Sequence, residues 1–421
     1  MNAPAAVPLN RVDLAARYRD VRGATERLCA PLATDDYQVQ SVLETSPPKW
    51  HLAHVSWFFE TFVLKPAVPE YRPFHSGFEY LFNSYYESVG PFHPRAQRGL
   101  ISRPTVEDVY RYRRHVDEAM LALLDARADA RWGALAARVT LGLHHEQQHQ
   151  ELLLMDIKHN FAANPLYPAY QAPSNVTATA PAPLHWIERA GGIAEIGHAG
   201  RGFAFDNETP RHAVLLHDHA LASRPVTNGE YLEFMAEGGY RDAGHWLADG
   251  WAKRQEKAWD APLYWAQRDG EWWYMTLGGL RPVNPAEPVC HVSFYEADAY
   301  ARWAGKRLPR EEEFETMLAA EPVAGNFVES GLLHPRPAAD GDGQWYGDVW
   351  EWTRSAYAPY PGFAPLAGAL GEYNGKFMAN QMVLRGGCCV TPRAHIRKSY
   401  RNFFYPHDRW PFTGFRLAAD R

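Results

Sequence analysis

Residues 141–159, LGLHHEQQHQELLLMDIKH, decide how this chain is read. His145 and His149 are four apart, and on a helix that spacing stacks both imidazoles on one face, one turn above the other. Leu143, Leu152, Leu153 and Met155 give the segment an apolar side, so a helix is expected. Two imidazoles presented in this way can fill two positions around a transition metal. The same residues carry the zinc-protease pattern H-E-x-x-H, as His145-Glu146-Gln147-Gln148-His149. Alone, that pattern has a high false-positive rate, and no Glu or His follows in a matching helical motif downstream.

A third ligand is expected from a different helix. The stretch KWHLAHVSWFFE offers His51 and His54, three apart; His54 begins the helical run and His51 sits nearer the Pro47-Pro48 stop. Any one histidine of this kind is more often a helix residue with ordinary hydrogen bonds. Three in one joint pattern favour a metal, with open positions left for substrate and oxygen. In NSYYESVG, Tyr85 and Tyr86 read first as packing aromatics. Beside an open metal position, a phenol can also donate a proton or a hydrogen bond.

The chain's 421 residues allow two or three domains with substantial cores. Hydrophobic residues make up 46% and charged residues 22%, the balance of a soluble globular protein. An aromatic share of 14%, with 15 Trp, suggests aromatic-lined cavities and loop-rich architecture. The net charge of −6 gives no hint of a nucleic-acid partner. No charged stretch followed by an apolar one opens the chain and no run of 18 apolar residues occurs, so neither a signal peptide nor a membrane span is expected. The four cysteines, Cys29, Cys290, Cys388 and Cys389, form no CxxC pair and point to a reducing, cytoplasmic setting. Adjacent Cys388 and Cys389 read as buried small hydrophobes, or as one lining a pocket.

Residues 11–165 read as helical. The four segments are LAARYRDVRGATERLCAPL, LAHVSWFFETFVLK, TVEDVYRYRRHVDEAMLALLDARA and RWGALAARVTLGLHHEQQHQELLLMDIKHNF. Thr105 is a plausible N-cap for the third, with Glu107 and Asp108 in its first turn. Four amphipathic segments suggest a four-helix bundle, in which metal sites are built from facing helices. The Pro-, Ala-, Ser- and Thr-rich stretch that follows has linker composition, placing a linker at residues 166–185. Over residues 186–421 short apolar runs alternate with Gly, Pro and Asp turns. That texture predicts an irregular α+β domain with two helices, near TNGEYLEFMAEGG and SFYEADAYARWAGK.

Together these motifs resemble a known family. PPKWHLAHVSWFFE, NSYYE, SRPTVEDVYRYR and HHEQQHQELL are similar to the N-terminal helical domain of the ergothioneine sulfoxide synthases, a DinB-like four-helix bundle. EPVCHVSFYEADAYARWAGKRLPREEEFE, GDVWEW, LRGG and GFRLA resemble the formylglycine-generating-enzyme fold, which is also C-type-lectin-like. The resemblance runs over roughly residues 15–420, in the family's own domain order. It implies a non-haem iron(II) enzyme that uses dioxygen to join a sulfur compound to C2 of the imidazole of hercynine (Nα-trimethylhistidine). It selects His54 over His51 as the first iron ligand, maps the others to His145 and His149, and matches Gln148 to a residue that contacts the substrate imidazole. In SYRNFF, Asn402 maps to a residue that seats the trimethylammonio amino acid. Phe403 and Phe404 are candidates for the same role, since such cations favour aromatic faces. The active site is expected between the two domains, where two surfaces can shape one cleft.

Members that use γ-glutamylcysteine carry a Trp-Asp pair after that Asn, where this chain has Phe403-Phe404. This points to a smaller donor such as cysteine, as in the subgroup with a tandem tyrosine, in which Tyr85 or Tyr86 would be catalytic. The chain departs from that subgroup in two places. Arg385-Gly386-Gly387-Cys388-Cys389 stands where it has R-G-G-S-C, and residues 90–98 are unusual, with Arg95 and Arg98 the basic residues expected near a donor's anionic or hydroxyl groups. A related family, the selenoneine synthases, joins a selenosugar to hercynine on the same fold, so a thiol and a selenosugar both stay open as donors. Cys388 would then line the donor side. Copper-type formylglycine generation is not expected, because the C-terminal region does not show that family's paired active-site cysteines. The competing classes are a zinc hydrolase or thiol transferase on a DinB-like bundle, and a carbohydrate- or protein-binding module using the lectin-like half.

Overall fold

Four long helices dominate the first part of the chain, each with a local reason to start where it does. In a computed structural model that describes residues 10–126, 131–173, 182–200, 202–339 and 343–421, α1 (Arg11–Cys29) is capped by the Asn10 side chain, which accepts from the Asp13 N–H at 3.0 Å. α2 (Pro48–Phe59) opens on a proline, whose missing N–H costs nothing in a first turn. It runs on through a π turn, Glu60–Leu64, into Lys65–Ala67. α3 (Val106–Asp125) starts in a reciprocal capping box between Thr105 and Asp108. α4 (Trp132–Ala162) spans 31 residues and carries the histidine pair. α1 and α2 each pack on both α3 and α4, which closes a four-helix bundle.

Glu146 sets how α4 is turned within that bundle. Its carboxylate is fully buried and accepts from Arg22 Nη1 at 2.9 Å, Arg113 Nη2 at 2.7 Å and Thr25 Oγ1 at 2.6 Å. Burial works against its charge, but the two guanidiniums outweigh it and hold its pKa down at about 2. Arg22 also reaches Asp117 and Ser56, so α1, α2, α3 and α4 meet in one polar knot. A few residues earlier, Gly142 brings α4 against α2. A Cβ built there would lie 2.6 Å from Phe59 Cε1 and 3.1 Å from Phe58 Cε1, so only glycine permits this approach.

The chain divides into two compact units. The first holds residues 1–164 together with two short segments from much later in the sequence, residues 200–205 and 365–373. The rest of the chain forms the second. Within the expected linker 166–185, residues 174–181 lie outside the described residues.

The second unit is built from small sheets and short helices. Trp186–Arg189, His219–Ala222 and Ala418–Asp420 form an antiparallel three-stranded sheet. A four-stranded sheet runs in the order Asn402–Phe404, Met382–Arg385, Trp350–Ala356, Thr413–Gly414. Leu384 pairs with Asn402, Val383 with Phe403, and Thr413 pairs in parallel with Trp350. α5 (Asn228–Ala236) and α7 (Phe294–Trp303) are the two helices the sequence indicates, each with its capping box. Two more, α6 (Ala248–Glu256) and α8 (Glu311–Leu318), fall outside that expectation. α8 anchors buried arginines. Glu311 and Glu315 accept from Arg385, and Glu311 also from Arg401, which fixes the strands that lead into Asn402–Phe404. Among the described residues, no helix is long and apolar enough to cross a membrane.

The buried knot yields a stability expectation. Glu146→Ala strands two buried guanidiniums and should lower unfolding stability by about 3–5 kcal/mol. Chemical denaturation of the purified variant measures this, and a loss below about 1 kcal/mol would mean that the knot does not hold the bundle together.

Candidate metal centre

His54 projects from α2, and His145 and His149 from successive turns of α4. Their ligand-capable nitrogens all lie within 4.8 Å of one another. His54 and His145 are buried and His149 is half-buried. The surroundings are aromatic: Trp50 and Trp57 stack with His54, with ring centres at 4.5 and 5.5 Å, and Phe58 stacks with His145 at 4.5 Å. In such a site imidazolium is disfavoured. Burial, with the neighbouring imidazoles second, pushes His54 and His149 well below the ordinary histidine range, and burial drives His145 to about 3. Neutral imidazole is the form that binds a metal.

The hydrogen bonds around the cluster also fit a metal. His54 Nδ1 lies 2.6 Å from the Phe82 carbonyl oxygen, so it donates its proton there and turns the Nε2 lone pair inward. That lone pair lies 3.1 Å from His145 Nε2, while buried His145 Nδ1 has no hydrogen-bond partner among the described residues. A separation of about 3 Å suits two nitrogens that share one ion at about 2.1 Å each. The described residues therefore contain a three-histidine site able to hold a metal ion.

His51 is not in the cluster. Both of its nitrogens are occupied, Nδ1 at 2.9 Å from His149 Nδ1 and Nε2 at 2.9 Å from Asp156 Oδ2. Glu146, the acid of the H-E-x-x-H pattern, is held by Arg22 and Arg113 and cannot act as the base of a zinc peptidase.

The two late segments of the first unit bring further groups to the histidines. Tyr373 lies with its ring centre 5.7 Å from that of His145 and donates its hydroxyl proton to Gln148 Oε1. Phe205 stacks on Tyr373 at 5.4 Å, and Phe203 on His144 at 4.0 Å. The neighbouring Glu372 carboxylate accepts from the backbone N–H groups of Glu87 and Ser88, both at 2.9 Å. It thereby ties the Tyr373 segment to the turn that holds Tyr85 and Tyr86. Asn83 folds that turn, bonding Tyr86 N at 3.0 Å and the Tyr86 and Gly90 carbonyls. Tyr86 is fully buried between Phe62, Trp57 and Tyr85. Burial, reinforced by Tyr85, raises its pKa well above the ordinary phenol value and keeps it protonated.

Arg98 lies one indole away from His54: its guanidinium sits 3.4 Å over the Trp50 ring and donates to Ser46 Oγ at 3.0 Å. Arg95 is exposed and donates to the Glu44 carbonyl. The remaining expected residues belong to the second unit. Phe403 stacks on Tyr357 at 4.0 Å, Phe404 meets Trp410 edge-on, and Asn402 Oδ1 accepts from the Phe403 N–H. Cys388 is fully buried, with its N–H and Sγ both on Thr391 Oγ1. Tyr373, Glu372, Phe203 and Phe205 escape a sequence reading, because nothing in GEYNG or GFAF marks them for a helical unit far away in the chain.

Comparison with known proteins agrees with this two-part organisation. The DinB superfamily profile matches residues 17–153, and that of the sulfatase-modifying factor enzyme 1-like domain matches residues 178–339 and 336–421. The hercynine oxygenase of Mycolicibacterium thermoresistibile is 32% identical over 99% of this chain and 96% of its own. That of Mycobacterium tuberculosis is 32% identical over 89% of this chain and 91% of its own. The ergothioneine biosynthesis protein 1 of Schizosaccharomyces pombe is 28% identical over 52% of this chain and 28% of its own. With both halves matched in order and nearly the full length aligned at this identity, the chain belongs to the hercynine oxygenase family.

Proposed function

We propose that this chain is an iron(II)- and dioxygen-dependent enzyme that forms a bond from sulfur, or from selenium, to C2 of the hercynine imidazole. His54, His145 and His149 would hold the iron. The observation that carries the reading is the close trio of imidazoles, two buried and one half-buried, in a chain aligned over nearly its whole length with hercynine oxygenases. Bound iron would supply the redox chemistry with dioxygen that substitution at an imidazole carbon requires. The protein's part is to bind, orient and protonate. Gln148 and Tyr373, bonded to each other beside His145, are placed to align an imidazole substrate. Tyr86, kept protonated by burial, is suited to give a proton rather than take one, and Tyr85 stacks on it at 4.6 Å. Asn402, Phe403 and Phe404 would seat the trimethylammonium group, with aromatic faces supplying cation–π attraction. A zinc hydrolase finds no support in the geometry, because Glu146 is bound to two arginines.

The donor is a small thiol such as cysteine, or a selenosugar. Phe403 and Phe404 supply no carboxylate for a γ-glutamyl group. Arg95, Arg98 and Cys388 are the residues assigned to the donor side. A polar donor group left unpaired on burial costs about 1–3 kcal/mol, roughly a 5- to 150-fold loss for each such group. With iron-loaded protein, hercynine and oxygen, mass spectrometry of a competition among cysteine, γ-glutamylcysteine and a selenosugar should show γ-glutamylcysteine as the poorest donor. Its preference over the other two would overturn the donor assignment, and absence of any hercynine adduct would overturn the reaction.

The phenols can be tested separately. Tyr85→Phe and Tyr86→Phe should each retain iron and hercynine, whereas Tyr373→Phe should retain iron and bind hercynine more weakly. The variant that removes the proton donor should lose about 100-fold or more in product formation, or divert turnover to thiol oxidation. Unchanged rates and product ratios in all three would make these rings packing residues.

A further inference from the structure

His51 and Asp156 stand next to the histidine cluster and supply no ligand atom to it. We infer that they form a relay that fixes the tautomer and the aim of His149, making both of them positioning residues for the metal. The inference rests on the metal reading of His54, His145 and His149.

The proton positions follow from the partners. Asp156 Oδ2 accepts from the Ser46 N–H at 2.8 Å and lies 2.9 Å from His51 Nε2. A carboxylate only accepts, so His51 Nε2 carries the ring proton. A singly protonated His51 then offers a lone pair at Nδ1, which sits 2.9 Å from His149 Nδ1. His149 Nδ1 must therefore be the donor, and its remaining lone pair is on Nε2, the nitrogen left for a metal. His51 and Asp156 are each about 3% exposed at their side chains, so water does not replace either partner. The relay also defines a ring plane, because an imidazole held at Nδ1 can no longer turn about its χ2 axis without breaking that bond.

The trio is therefore supported unequally from behind. His54 leans on a backbone carbonyl, that of Phe82. His149 leans on an imidazole that is itself polarised by a carboxylate, which makes it the more electron-rich donor. The sequence spacing carries the same logic. His51 and His54 lie on one helix three residues apart, and His149 and Asp156 on another, seven apart, which returns to nearly the same face after two turns.

The test uses the full-length protein, stripped of metal and titrated with Co(II), and separately with Fe(II) without oxygen, against a competing chelator. His51→Leu and Asp156→Ala should each weaken binding about 10- to 100-fold. His51→Gln keeps an oxygen that can accept from His149 Nδ1 and should restore affinity to within a few-fold of the wild type. Asp156→Asn preserves the shape and removes the charge. It should shift the visible absorption of bound Co(II) while the metal-free protein unfolds at the wild-type temperature, which a purely structural tie between the helices would not produce. The relay is overturned by wild-type affinity and spectrum in both His51→Leu and Asp156→Asn. It is equally overturned by a His51→Leu variant that loses metal as completely as His149→Ala, since His51 would then be a ligand. Retention of metal by His149→Ala would instead reject the metal reading itself, a result distinct from either.

Discussion

A carboxylate shut away from water must be neutralised where it stands, and Glu146 is neutralised by Arg22 and Arg113 at once. The rest of the helical unit follows from that commitment. A helix turns by about 100° per residue, so pointing residue 146 at α1 and α3 swings residues 145 and 149 together toward α2. The histidines converge on His54 because the acid beside them points elsewhere. The polar knot and the imidazole cluster are two faces of the same turn of α4, and neither can be rotated without the other.

The cluster itself is held by what surrounds it. His54 Nε2 and His145 Nε2 stand 3.1 Å apart, and His145 Nδ1 finds no partner among the described residues. Burial keeps both rings from taking a second proton. What keeps the rings in place is bulk and backbone. Trp50, Trp57 and Phe58 brace them, and Gly142 lets α2 and α4 approach closely enough for side chains from both to share one small volume.

Much of this is legible in the sequence because the signals are local. The i, i+4 histidines, the Thr105 box and the apolar stripes of four segments all act within one or two helical turns, and the structure shows four helices at those places. The two-part fold class is legible for the same reason, since the change of texture from long amphipathic segments to short runs between turns is a property of short windows. The residues alone leave His51 and His54 as alternatives. Each is a buried histidine on α2, and only their partners across the bundle, Asp156 for one and His145 for the other, separate them. α8 escapes such a reading because EEEF places three acids in the first turn, and the value of Glu311 depends on Arg385 and Arg401, which lie far along the chain. Tyr373 escapes it because its surroundings read as turn residues.

That last feature bears on how the protein is made. The helices of the first unit lie within residues 1–164, yet the unit also contains residues 365–373. On a ribosome adding about 5–20 residues per second, the helices emerge roughly 10–40 s before the segment that completes them. For that interval Tyr373 is not there to pack on His145 or to bond Gln148. All three histidines are thus made, and their helices free to pack, well before the tyrosine that finally lies against them.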